Sequence, residues 1–177
     1  TPHLPGQAGR KASDGINHPR EPSNRLMNNQ DKVKLLAKDL SKTAPRSARD
    51  TLGGYVIAAR TLDKCRAVLA GTEDEYHFDC PLDNFFFGFA EIKGDDFKDF
   101  VATGATDDEV AEWITTNAKQ RERSEIVEWN NDLRYKRISE LPTELQVFME
   151  DYIPENLPTH RPVYVLFDVY DIEEGRL

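Results

Sequence analysis

The sequence predicts an all-α fold: a compact bundle of about six helices, with at most one short hairpin or extended piece near Tyr76. Two observations carry that expectation. Helix start and stop signals punctuate the chain from Thr51 to Tyr152, and Thr106-Asp-Asp-Glu109 forms a capping box ahead of VAEWITTNAK. Behind it, Val110, Trp113, Ile114 and Asn117 recur at helical spacing, which reads Trp113 as core.

Taken in order, residues 1–26 differ from the rest. Pro2, Pro5, Pro19 and Pro22 break any helix, and the segment carries a net charge of +2 against −11 for the remainder. We read 1–26 as a disordered, non-native leader and 27–177 as a single helical domain. Val33, Leu35, Leu36 and Leu40 mark a first short helix, stopped by Pro45. A long helix is expected from Asp50 or Thr51 through TLGGYVIAARTLDKCRAVLAG, ended by Gly71. A polar loop holds the extended piece Tyr76-His77-Phe78. Asp83 can cap NFFFGFAEI, and Asp95 or Asp96 can cap FKDFVATG. Ser124 opens EIVEWNNDLRYKRI, and Pro142 suits the first position of TELQVFMEDYI. The last run, PVYVLFDVYDI, is rich in strand formers. Yet Val163, Leu166, Phe167 and Tyr170 share one helical face, and the reading favours a helix.

Composition excludes several functions. A net charge of −9 repels phosphate backbones and anionic bilayers, so neither nucleic acid nor membrane is expected as a partner. No apolar run is long enough to span a bilayer. Two cysteines, Cys65 and Cys80, fit a reducing cytoplasm better than a disulfide framework. His77 and Cys80 form an H-x-x-C pair, but a closed zinc site needs four ligands, so no metal is expected. Gly53-Gly54 lacks the spacing of a phosphate loop and reads as a tight start to a helix or a close helix crossing. The chain has no nucleophile elbow, zinc-protease motif, calcium loop or dinucleotide fingerprint, and no cofactor is expected.

The candidate site lies on the long helix. Around 100° per residue, the apolar arc is centred near Leu62 and Leu69. Arg66 falls inside it, while Arg60, Asp63 and Lys64 lie opposite. A charge on an apolar face needs a partner or an anion. The structural reading is an Asp63–Arg66 pair or a snorkelling arginine; the functional reading is an anion-binding site with Tyr76. Asn130, beside Trp129, is a second polar anomaly. It either ties down a neighbouring segment or contacts a ligand.

The run APRSARDTLGGYVIAARTLDKCRAVLAGTEDEYHFDCPLDNFFFGF resembles an uncharacterised bacterial family, domain of unknown function family 5069. The pattern comprises P-R-S-P-R, L-G-G, D-K-x-R-A, A-G-x-x-x-E-Y and a C-P-L-D-like step, and ATDDEVAEWI and EIVEWNN are similar further on. The likeness extends over 27–177, with Ala48 standing where the pattern has proline. It places Pro45, Arg46, Arg49, Gly53, Gly54, Asp63, Lys64, Arg66, Tyr76 and Asp83 on the motif. It implies a bacterial, cytoplasmic protein and no mechanism.

Three functions fit. The first is a binding or interaction module for a small anionic metabolite or a protein partner, with Arg60, Asp63, Lys64, Arg66, Tyr76 and Asn130 as candidate ligand contacts. The second is an enzyme in which Asp63 is the base and Lys64 or Arg66 the substrate anchor. In the third the motif is purely structural.

Overall fold

The computed structural model describes residues 26–177, so the leader expected over 1–26 falls, but for Leu26, outside the described residues. Among these are eight α-helices and one small antiparallel hairpin, an all-α fold.

Helix α1 (Asn29–Leu36) starts where the Asn28 side chain accepts the Asp31 N–H at 2.8 Å. Of its apolar set only Val33 is buried, with Leu40 beyond its end; Leu35 and Leu36 face outward. The hairpin follows, β1 (Thr51–Leu52) paired with β2 (Tyr55–Val56). Its two-residue turn has Gly53 at φ +61° and Gly54 at φ +91°, the left-handed geometry that a tight hairpin demands. Gly53 also packs closely on a later helix, since a Cβ there would lie 3.2 Å from the Ala111 carbonyl oxygen and from Ile114.

The long helix therefore starts later than expected. Helix α2 (Ala58–Ala70) begins after Ile57, itself at φ +73°, and ends on left-handed Gly71 as the sequence indicates. Positive φ at three of the five residues from Gly53 to Ile57 is incompatible with helix, so the run from Thr51 to Val56 cannot be its first turns. The extended piece expected near Tyr76 is irregular loop; the hairpin lies at 51–56 instead.

The remaining helices lie where the sequence indicates, except at the start of the first. They are α3 (Pro81–Ala90), with proline at its first position, and α4 (Gly94–Val101), with Asp95 and Asp96 in its first turn. Helix α3 starts three residues before the run that Asp83 is expected to cap, and Asp83 lies buried in its first turn. In α5 (Asp107–Asn117), the Thr106 hydroxyl accepts the Glu109 N–H, and Glu109 accepts the Thr106 N–H. Next are α6 (Arg123–Arg134) and α7 (Thr143–Asn156), the latter following Pro142. The ambiguous C-terminal run is helical from Leu166, as α8 (Leu166–Glu173), while its first residues, 162–165 with Val163 among them, are non-helical.

Phe86, Phe97, Phe167, Leu62, Ile114 and Leu166 anchor one continuous core. Trp113 is half-buried at its edge, stacked on Phe100 at 5.3 Å and edge-on to Phe97, while Asn117 is exposed. Helix α2 occupies the centre and is buried on every face from Ala58 to Ala67. The side of the helix that carries Arg60, Asp63 and Lys64 is buried along with its apolar arc. No helix among the described residues is long and apolar enough to cross a membrane.

Candidate functional site

A helix buried all round must neutralise its charges internally, and α2 does so through five charged partners. Arg60, 3% exposed, pairs with Glu174 and lies over the rings of Tyr170 and Tyr76, at 5.1 and 5.6 Å. Burial opposes its charge, but Glu174 more than offsets this and holds its pKa above the ordinary arginine value. Asp63, 4% exposed, accepts from the Arg46 guanidinium and backbone N–H and pairs with Lys38 at 3.0 Å. Lys64 pairs with fully buried Asp83 at 2.9 Å and donates to the Cys80 Sγ at 3.2 Å. Arg66 donates to Asp107 at 2.7 Å and to the Ala105 carbonyl oxygen at 2.9 Å. Asp63 and Arg66 each choose a different partner, so the i, i+3 pair read from the sequence does not form.

The Pro45–Arg49 loop completes this network. Arg46 bridges Asp63 and Asp107, joining α2 to the start of α5. Arg49 reaches Asp168 and Asp171 on α8, and the Ser47 hydroxyl donates to Asp171. Asp63 and Arg66 thus belong to a structural clasp. Burial works against the Asp107 charge, but Arg66 and Arg46 outweigh it and hold the carboxyl below its usual range.

Asn130 is equally occupied. Its Oδ1 accepts the Val56 N–H at 3.0 Å and its Nδ2 donates to the Gly54 carbonyl oxygen at 2.8 Å, fixing the hairpin to α6. Both ends of the amide are engaged, the tie-down read from the sequence.

Arg60, Lys64 and Tyr76 converge elsewhere. They line a cleft of about 1080 Å³ bounded by α2, the 74–77 loop, the start of α3, and helices α7 and α8. Apolar side chains form much of its wall: Leu82, Phe85, Leu145, Phe148 and Met149. Tyr152 stacks on Phe148 at 5.6 Å, and its hydroxyl donates to Glu173. The Tyr76 hydroxyl donates to Glu174 at 3.3 Å. Burial, then the Glu174 carboxylate, pushes the Tyr76 phenol up to about 12. Burial likewise raises Tyr170, beneath Arg60.

Sequence reading located one wall of this cleft and missed the other. Tyr152, Tyr170, Glu173 and Glu174 look like ordinary helix residues, and only the fold brings α7 and α8 against α2. His77 is exposed, and among the described residues no group of three or more His, Cys, Asp or Glu side chains is placed to hold a metal.

No curated protein matches the chain. A match does come from the family described as Domain of unknown function (DUF5069), over residues 42–176. That span runs from just before the Pro45–Arg49 loop through the end of α8 and takes in the residues lining the cleft apart from Leu40. The chain belongs to the DUF5069 family, a domain of unknown function.

Proposed function

We propose that this protein is a small-molecule binding module whose site is the cleft between α2, α7 and α8. One observation carries the reading. A concavity of about 1080 Å³ is lined by apolar and aromatic side chains interspersed with charged ones, and Arg60, Lys64 and Tyr76, all candidates from the sequence, are among its lining residues. Clefts of this size and make-up are the usual sites for metabolite-sized ligands. Buried ion pairs support a preorganised site, since Arg60 and Lys64 are each held by a carboxylate. Asp63, Arg66 and Asn130 drop out of the proposed site because their polar groups are committed to the protein.

The test is a thermal-shift screen against cationic, neutral and anionic metabolites. A ligand at a hundred times its dissociation constant adds about 2.7 kcal/mol, a rise of roughly 5–10 °C for a domain of this size. Leu145→Trp, on the cleft wall, is expected to abolish that rise. No stabilising compound, or stabilisation that survives Leu145→Trp, overturns the reading.

An enzyme is the second reading, favoured by one contact: Cys80 sits on the cleft wall with its Sγ 3.2 Å from the Lys64 ammonium nitrogen. That reading moves the chemistry from Asp63 to Cys80, with Lys64 as anchor. Turnover that survives Cys80→Ser removes it. Two free cysteines support a cytoplasmic location, and the family resemblance a bacterial one. Fractionation of a producing cell checks the location.

A further inference from the structure

The cleft's charge is not what its arginine and lysine suggest. Arg60 is neutralised by Glu174 and has two tyrosine rings against it, and Lys64 is neutralised by Asp83. Neither has a free charge to offer an anion. The other charged residues on the walls are Asp74, Glu75, Glu144 and Glu173, and among the described residues none of the four forms an ion pair. Their negative potential is focused across a low-dielectric concavity, which attracts cations and repels anions.

The aromatic walls point the same way. Phe148 and Tyr152 stack along α7, and Glu173 sits at the Tyr152 hydroxyl. Ring faces beside a carboxylate stabilise an organic ammonium group, whose apolar substituents pack on the rings while its charge meets the ring quadrupole and the acid. The protein already places one cation this way, with Arg60 between Tyr76, Tyr170 and Glu174.

We infer that the ligand of the cleft is an amphipathic organic amine, with an apolar or aromatic body against Phe85, Phe148 and Tyr152 and an ammonium head against Glu173 and Glu144. This inference rests on the cleft being a small-molecule site and names its ligand class. It replaces the anion expected from Arg60, Lys64 and Arg66 taken singly.

The experiment uses three compounds that share one aromatic body: tyramine as the cation, tyrosol as the neutral form, and 4-hydroxyphenylacetate as the anion. Each is titrated into the full chain by calorimetry at pH 7 and low salt. Tyramine is expected to bind at least about tenfold tighter than either counterpart, the scale of one close charge interaction near a protein surface. Raised salt should weaken it selectively. Glu173→Gln and Glu144→Gln change exposed residues and keep their size, so the fold is retained and the preference for tyramine should shrink. Tyrosol or 4-hydroxyphenylacetate binding as tightly as tyramine overturns the inference. So does a series in which no member binds, or a preference unmoved in both glutamate variants. The cleft itself is judged separately: a neutral or anionic ligand lost in Leu145→Trp would keep the binding module and discard the amine.

Discussion

Arg66→Met separates a structural arginine from a functional one, and the structure sets its size. Methionine keeps the length and apolar stem of the side chain and removes the charge. Lost are the charge-assisted bond to Asp107 at 2.7 Å and the bond to the Ala105 carbonyl oxygen at 2.9 Å. A bond to a charged group contributes about 1.5–3 kcal/mol, and a buried acceptor left without a donor costs about 1–3. Two features reduce that total. Asp107 keeps Arg46 at 2.7 Å and its side chain is 42% exposed, so it is not stranded. The Arg66 Nε, buried without a partner, is also removed. The expected net loss is about 2 kcal/mol, a fall in melting temperature of roughly 4–8 °C followed by circular dichroism. The pH dependence gives a second reading. Asp107 titrates below its ordinary 3.8 in the folded chain. Its contribution is therefore full above 3.8 and lost as pH falls through the lowered value. The gap between parent and variant should narrow below about pH 4. A variant as stable as the parent at pH 7, or a gap that widens in acid, would refute the clasp.

Three further outcomes follow from named contacts. Asn130→Ala leaves the buried Val56 N–H without its acceptor, and chemical denaturation should register a loss of about 2–3 kcal/mol. Trp113→Ala should cost about 2–3 kcal/mol by the same measurement, less than the 3–5 of a fully buried aromatic, because the ring lies at the core's edge. Cys65 is fully buried, and burial pushes its thiol up to about 12, whereas Cys80 reaches the cleft. Brief alkylation of the native protein read by mass spectrometry should label Cys80 alone, with Cys65 following only on unfolding.

The sequence is most legible where a signal is local. The Thr106–Glu109 box and Gly71 at the end of α2 each act within a few residues, and each lands where expected. The hairpin at 51–56 leaves no periodic trace, because strands of two residues show no alternation, and a Gly-Gly pair ahead of an apolar run also suits the approach to a helix. A Gly-Gly pair between Leu52 and Tyr55 is itself a hairpin signal, and it places the start of α2 after the turn. The partners of α2 left no such trace. Arg66 and Asp107 are 41 residues apart, and Arg60 and Glu174 are 114 apart. A helical wheel assigns a side to each charge but does not say which distant carboxylate meets it.

The motif positions divide by what they touch. Arg46, Arg49, Asp63 and Arg66 face other protein groups and draw α5 and α8 onto α2. Lys64 and Tyr76 face the cleft, with Asp83 behind Lys64. Two fully buried ion pairs on one helix, Arg60–Glu174 and Lys64–Asp83, are hard to explain by stability alone, because such pairs roughly break even against apolar packing of the same volume. They do fix geometry. Each guanidinium accepts only certain positions of its carboxylate, so the clasp sets where α8 lies relative to α2. That placement in turn sets where Tyr170, Glu173 and Glu174 stand around the cleft. The structural reading and the proposed binding reading of the motif are thus compatible: the clasp aligns two of the walls, and in the proposed site the wall charges left unpaired set what the cleft attracts.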